Sequence, residues 1–181
     1  MSILDLWLPI VVSTIFAWIA SALVWTVLPW HKGDYAKTTD EEGVRTALKG
    51  LKPGCYNVPH CPDQKALQNP EMQQKFAEGP LAFITVLPNG MPNMGRNMAL
   101  MIGYFIFVGI LCAYFVSRTT GPDSSYLEVF RIAGTVAWIA NGVAHIPESV
   151  WFGRPFSSTA KSMGDALIYG LLTGGVFGWL A

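Results

Sequence analysis

The sequence predicts an all-α membrane protein: four transmembrane helices, with a small α+β polar insert between spans one and two. Three observations predict it. Charged residues make up 13% of the 181, against about 25% in an average soluble domain, while apolar residues reach 51%. Residues 6–29 contain no charged side chain, and three more apolar stretches follow further along. Nearly all the polar sequence is gathered into one segment, 31–97. Mean hydropathy is +0.35. Twelve Lys and Arg balance twelve Asp and Glu, so no net charge draws the chain to nucleic acid. The composition argues against a soluble enzyme, and the length leaves no room for a large catalytic domain beside several spans.

The first span covers 6–29, since about 20 apolar residues in a helix cross roughly 30 Å of hydrocarbon. Pro9 falls in its first turns, where a missing N–H costs little. Trp7, Trp25 and Trp30 lie near its ends, where indoles favour the headgroup level. The N-terminus lacks the basic region of a signal peptide, so retention as a span is expected despite the small residues Ala20-Ser21-Ala22. Within the insert, Thr39-Asp40 caps a short helix with Val44, Ala47, Leu48 and Leu51 on one stripe. A second helix has Asn69 as cap, Pro70 at its first position and Gly79-Pro80 as its stop. The run Leu81 to Leu87 reads as a strand. An insert this size with so few apolar positions builds a poor core, so cover from the membrane face, the spans or a partner is expected.

Met98 to Val116 forms the second span, closed by Ser117-Arg118. The third opens on a capping box, Ser125 with Glu128, and stops at Pro147. The fourth opens at Ser162-Met163-Gly164-Asp165 and runs to Ala181. Domain boundaries follow: 1–30, 31–97 and 98–181. The insert holds eight Lys/Arg, and Arg154 and Lys161 lie on the same side, against Arg118 and Arg131 opposite. The positive-inside rule therefore places 31–97 in the cytoplasm and both termini outside.

Span four carries Ala166, Gly170, Gly174 and Gly178 at intervals of four, a nearly side-chain-free helix face. Helices in lipid associate through such close backbone contact. The face suits packing on the other spans, on a neighbouring subunit, or on a flat lipid or pigment. Span three holds the polar intramembrane residues: Arg131, one turn from Glu128 and able to pair with it, Asn141 and His145 on one face, and Glu148 after Pro147. Structural hydrogen bonding competes there with a proton, quinone or metal role. His31 and His145 end their spans on one side and are the imidazole pair that two helices bring to one leaflet. His31 nonetheless reads as an interfacial residue between Trp30 and Lys32, and no haem is expected.

Cys55, His60 and Cys61 are weak metal candidates, because the spacing is not Cys-x2-Cys and no second half-site exists. They read as loop cysteines; a disulfide would need the opposite orientation. Cys112 reads as a small hydrophobe. Residues 88–96 lack the Lys and glycine spacing of a phosphate-binding loop. No nucleophile elbow, zinc-protease motif or series of membrane carboxylates is present. Asp5, Glu128, Glu148 and Asp165 all read as helix starts or interface residues. No cofactor is predicted.

Four stretches carry a resemblance: Val27-Leu28-Pro29-Trp30-His31-Lys32-Gly33-Asp34-Tyr35; Pro88-Asn89-Gly90; Val129 to Thr135; and Asp165 to Gly170 with Phe177-Gly178-Trp179. Over nearly the whole chain the sequence resembles small four-span bacterial inner-membrane proteins without an assigned activity. The resemblance implies a bacterial inner membrane and supplies no site residues. The missing catalytic constellation and the glycine face point to a non-catalytic accessory or assembly subunit of a larger complex, with lipid and other membrane subunits as partners. The alternative is a small redox or transport protein using His31, Asn141 and His145.

Overall fold

The structure, a computed structural model, describes residues 2–181. It divides into two compact units, one made of the residues up to Tyr35 with Asn93–Ala181, the other of Ala36–Pro92.

The larger unit is helical. A Ser2-capped 3-10 turn, Ile3–Leu6, runs into α1 (Trp7–Thr26), and the Asp5 carboxylate accepts the Ser2 N–H at 2.7 Å. The remaining helices of this unit are α4 (Met94–Thr119), α5 (Tyr126–Gly142), α6 (His145–Phe152) and α7 (Phe156–Leu180). Asn93 caps α4 by accepting the Arg96 N–H at 3.0 Å. Glu128 opens α5 by accepting from the Ser125 N–H at 2.7 Å and its hydroxyl at 3.1 Å. Four segments, Ile3–Thr26, Met94–Thr119, Tyr126–Phe152 and Phe156–Leu180, are long and apolar enough to cross a bilayer. By length and composition the chain is a multi-pass membrane protein. Outward side chains such as Ile15, Ile19, Phe107 and Ile110 are exposed, as contact with lipid tails allows.

Helix α7 is the hub. Its small-residue face lies on α5, where Gly134 and Gly142 answer it. A Cβ added at Gly174 would stand 2.7 Å from the Phe130 carbonyl oxygen and 3.0 Å from Gly134 Cα. One at Gly170 would stand 2.9 Å from the Gly134 carbonyl oxygen, and one at Gly178 2.8 Å from the Tyr126 ring. The stripe is therefore consumed within the chain. A second stripe on α7, Ser158, Ser162, Asp165, Tyr169 and Thr173, is also buried and is polar.

Three expectations are corrected. Span three does not stop at Pro147: α5 ends at Gly142 and α6 begins at His145, so Pro147 sits in a first turn where its absent N–H leaves no hydrogen bond unmade. Helix α7 begins at Phe156, six residues before Ser162, because Pro155 admits the chain into a helix and the Ser162 hydroxyl folds back onto the Ser158 carbonyl at 3.1 Å. The Glu128 carboxylate is taken up by Ser125 and makes no ion pair with Arg131.

The smaller unit contains α2 (Glu41–Leu48), capped by Asp40, and α3 (Pro70–Glu78), capped by Asn69. Strand β1 (Gly54–Val58) pairs antiparallel with β2 (Ala82–Val86), with Tyr56 opposite Ile84. The sequence pattern predicts a loop at Cys55. It lies instead in β1, whose tyrosine and valine suit a strand, although Pro53-Gly54 and Pro59 around it look like turn punctuation. No residue of 36–92 is buried.

Candidate functional site

The site starts where α1 ends. The backbone leaves the helix at Val27, and Pro29 directs a single 3-10 turn, Pro29–His31, which folds the imidazole back against the helix end. His31 stacks flat on Trp25, with ring centroids 4.1 Å apart and planes within 4°, while Trp30 meets it edge-on. The ring is buried, with 7% of the residue exposed. The chain turns once more, and Asp34, three residues on, presents its carboxylate to His31 Nδ1 at 2.7 Å.

From the other side comes α7. Ser158, Lys161, Ser162 and Asp165 fall at i, i+3, i+4 and i+7, which places them on one helix face. Asp165 Oδ2 lies 2.9 Å from His31 Nε2. Lys161 Nζ donates to Asp34 Oδ1 at 2.6 Å, and the Ser158 hydroxyl donates to the same oxygen at 3.3 Å. Asp34 is thus covered at close range by its own partners. Hydrogen bonds from Lys161 and then His31 hold its carboxyl at about 2, below the ordinary 3.8.

Both nitrogens of one imidazole face carboxylate oxygens. An imidazolium donates through both; a neutral ring fits only if one carboxyl carries the hydrogen instead. Either way, two hydrogens are held among three groups, and Lys161 offsets the residual negative charge. The second oxygen of Asp165, Oδ1, is buried and has no hydrogen-bond partner among the described residues. An unmet carboxylate oxygen of this kind costs on the order of 1–3 kcal/mol, which a ligand or water would recover.

Asp165 also lines a cavity of about 310 Å³. Trp25, Met101, Tyr104 and Tyr169 supply its apolar walls, and Asn141, His145, Arg154 and Ser162 its polar ones. Asn141 Nδ2 donates to the Ala137 carbonyl of its own helix at 2.7 Å, and the Tyr104 hydroxyl donates to the Ala140 carbonyl at 3.1 Å. Arg154 donates to Glu148 Oε2 at 2.6 Å, to His145 Nδ1 at 3.2 Å and to the Ser162 hydroxyl at 3.2 Å. His145 Nδ1 also lies 3.4 Å from Glu148 Oε2, so it stands between a guanidinium donor and a carboxylate acceptor. Comparison with family models, with curated proteins and with solved structures returns no match. The site rests on its own geometry.

The structure brings Asn141, His145 and Glu148 together around the cavity or at its edge, as the sequence grouped them. It places His31 beside them through Asp165, but in the interior and not at an open interface. Both nitrogens of His31 already have carboxylate partners, so the two histidines do not converge as paired ligands. Among the described residues no group of three His, Cys, Asp or Glu is placed to hold a metal ion. Arg131 lies elsewhere, exposed on α5 beside a shallow groove of about 170 Å³. Cys55 and Cys61 are free thiols in the smaller unit.

Asp34, Arg154, Lys161 and Asp165 are the residues sequence reasoning missed. By its sequence pattern alone Asp165 reads as a helix start. The available signal is the 158/161/162/165 spacing, legible once α7 begins at Phe156, just after Pro155.

Proposed function

We propose that this chain is a small proton-handling membrane protein of the redox or transport class, working at the His31–Asp165 pair and the cavity beside it. One observation carries the reading: a buried imidazole whose two nitrogens meet Asp34 at 2.7 Å and Asp165 at 2.9 Å, at the end of a membrane-spanning bundle. A His–carboxylate pair can pass a hydrogen with little movement of heavy atoms, and ionisable groups at such depth are costly unless used. Buried hydroxyls further along the bundle support the same reading. Tyr169 and Thr173 continue the polar stripe of α7, and α1 contributes Ser13 and Thr14. Thr14 Oγ1 and the Tyr169 hydroxyl have no partner among the described residues, which suits bridging water. The bacterial inner membrane, with 31–97 in the cytoplasm, belongs to this proposal and rests on the sequence resemblance and the Lys/Arg distribution.

The test is proton movement in lipid vesicles containing the purified full chain, read with an enclosed pH dye under an imposed potential. The protein should carry protons above the background of empty vesicles. Asp165→Asn and His31→Gln should lower the rate about a hundredfold, the lower range for losing one acid–base group. Wild-type vesicles no faster than empty ones would overturn the reading.

A second reading, an accessory or assembly subunit of a larger membrane complex, is favoured by the absence of any buried residue in 36–92. Leu81, Phe83 and Leu87, on and beside β2, are more than half exposed. Under this reading the chain co-purifies with other membrane subunits in mild detergent, and a solitary monodisperse particle counts against it.

A further inference from the structure

The cavity beside Asp165 has walls chemically distinct enough to say what it takes. We infer that it binds a neutral, ring-shaped, membrane-soluble molecule with a hydroxyl at each end, the chemistry of a quinol headgroup. The inference deepens the proton-handling reading by naming the molecule that meets Asp165.

Charge comes first. Each charge at the cavity is already paired inside the protein: Asp165 with His31, and Arg154 with Glu148 at 2.6 Å. An ionic ligand would have to break one of these pairs or bring an uncompensated charge into a low-dielectric site, so a neutral occupant is favoured. Hydrogen bonding comes second. Asp165, 4% exposed, retains one oxygen with no donor, so the occupant brings an O–H to that wall. On the wall formed by Asn141 and His145, Arg154 and Glu148 hold the Nδ1 side of the imidazole, and Nε2 has no protein hydrogen-bond partner among the described residues. A hydroxyl on the occupant, able both to donate and to accept, suits it. Shape and polarisability come third. Between these walls lie Trp25, Met101, Tyr104 and Tyr169, aromatic faces and a thioether that favour a flat ring. A volume of about 310 Å³ lies at the lower end of the ~300–1,000 Å³ range of ligand pockets, enough for a substituted ring and too small for a nucleotide cofactor. The site lies near the ends of membrane-spanning helices, within reach of a molecule dissolved in the bilayer.

The proposal concerns binding, with a hydrogen bond between an occupant hydroxyl and Asp165. It includes no electron transfer.

A short-tailed hydroquinone carrying a photoreactive azide is the probe, kept reduced and used on the full chain in lipid nanodiscs, with the labelled peptides mapped by mass spectrometry. Label should appear on the segments containing Met101 and Tyr104, and excess unmodified hydroquinone should remove it. Asp165→Asn should weaken competed labelling about tenfold, the loss expected for one hydrogen bond to a charged group. That change could also disturb the fold near His31, so Asn141→Leu, which crowds the cavity and leaves both ion pairs intact, must weaken labelling as well. Label spread evenly over lipid-facing residues, or unaffected by competition, would overturn the inference. Displacement by a simple alkylammonium and not by hydroquinone would do the same, in favour of a cationic occupant. Labelling needs no proton gradient. Absent labelling with intact proton movement therefore removes the ligand alone, and intact labelling without proton movement removes the proton reading alone.

Discussion

At the scale of single residues, Asp34 and Asp165 hold opposite sides of one imidazole but differ in surroundings. Asp165 is sunk in the bundle with one oxygen unmet, whereas Asp34 sits under Lys161, Ser158 and His31 with both oxygens bonded. The acid behaviour of the fold follows from the second. The Asp34 carboxyl is lowered from 3.8 to about 2. A group depressed on folding stabilises the native state above its unfolded value, and that contribution disappears as pH falls through the folded one. Detergent-solubilised protein should therefore lose thermal stability as pH drops from about 4 towards 2. Asp34→Asn should be less stable at neutral pH and show a flatter acid limb. A variant melting curve that follows the wild-type pH dependence would remove Asp34 from the network's energetics. His31 was visible in the sequence as a histidine at a span end; its burial was not, because nothing local foretells that α7 will cover it.

At the scale of elements, the α5–α7 seam decides the packing. Four-residue spacing of Ala166, Gly170, Gly174 and Gly178 announced close contact, and the contact is with Gly134, Gly142, Phe130 and Tyr126 of the same chain. Since a Cβ at Gly174 would meet the α5 backbone at Phe130 and Gly134, the helices must separate to admit it. Gly174→Ala should cost roughly 1–3 kcal/mol, as overpacking of a close-packed interior does. Gly103→Ala in α4, where nothing lies within 4 Å, should be neutral. Thermal unfolding of the two variants in one detergent checks this, and equal melting would mean the seam relaxes freely. The start of α7 was less legible. Ser157, Ser158 and Thr159 look like loop residues by composition; in the helix Ser158 is buried on Asp34 and Thr159 is buried on Ser149 and the His145 carbonyl, contacts that no local pattern announces.

At the scale of the whole molecule, the Lys/Arg distribution predicts the orientation of the four long helices, with 31–97 in the cytoplasm. Cys55 is an exposed free thiol in the insert, while Cys112 is buried in the bundle. A membrane-impermeant maleimide added to intact cells should leave Cys55 untouched and should modify it after the membrane is opened. Cys112 should remain unmodified in both. Labelling of Cys55 from outside would invert the proposed topology and put the His31 site at the outer face.

The amino-acid order by itself determined the membrane class, the approximate spans, the caps of α2 and α3, and the tight face of span four. Each of these depends on hydrophobicity, charge or helix periodicity within one segment. Only the tertiary structure decided that β1 exists, that the glycine face is filled internally, and that His31 lies between Asp34 and Asp165 next to the cavity of Asn141 and His145. Those are contacts between residues far apart in the chain, up to the 134 positions separating His31 from Asp165. A local pattern records the preference of a segment for a shape and a solvent, and holds no record of which distant side chain will supply a hydrogen-bond partner.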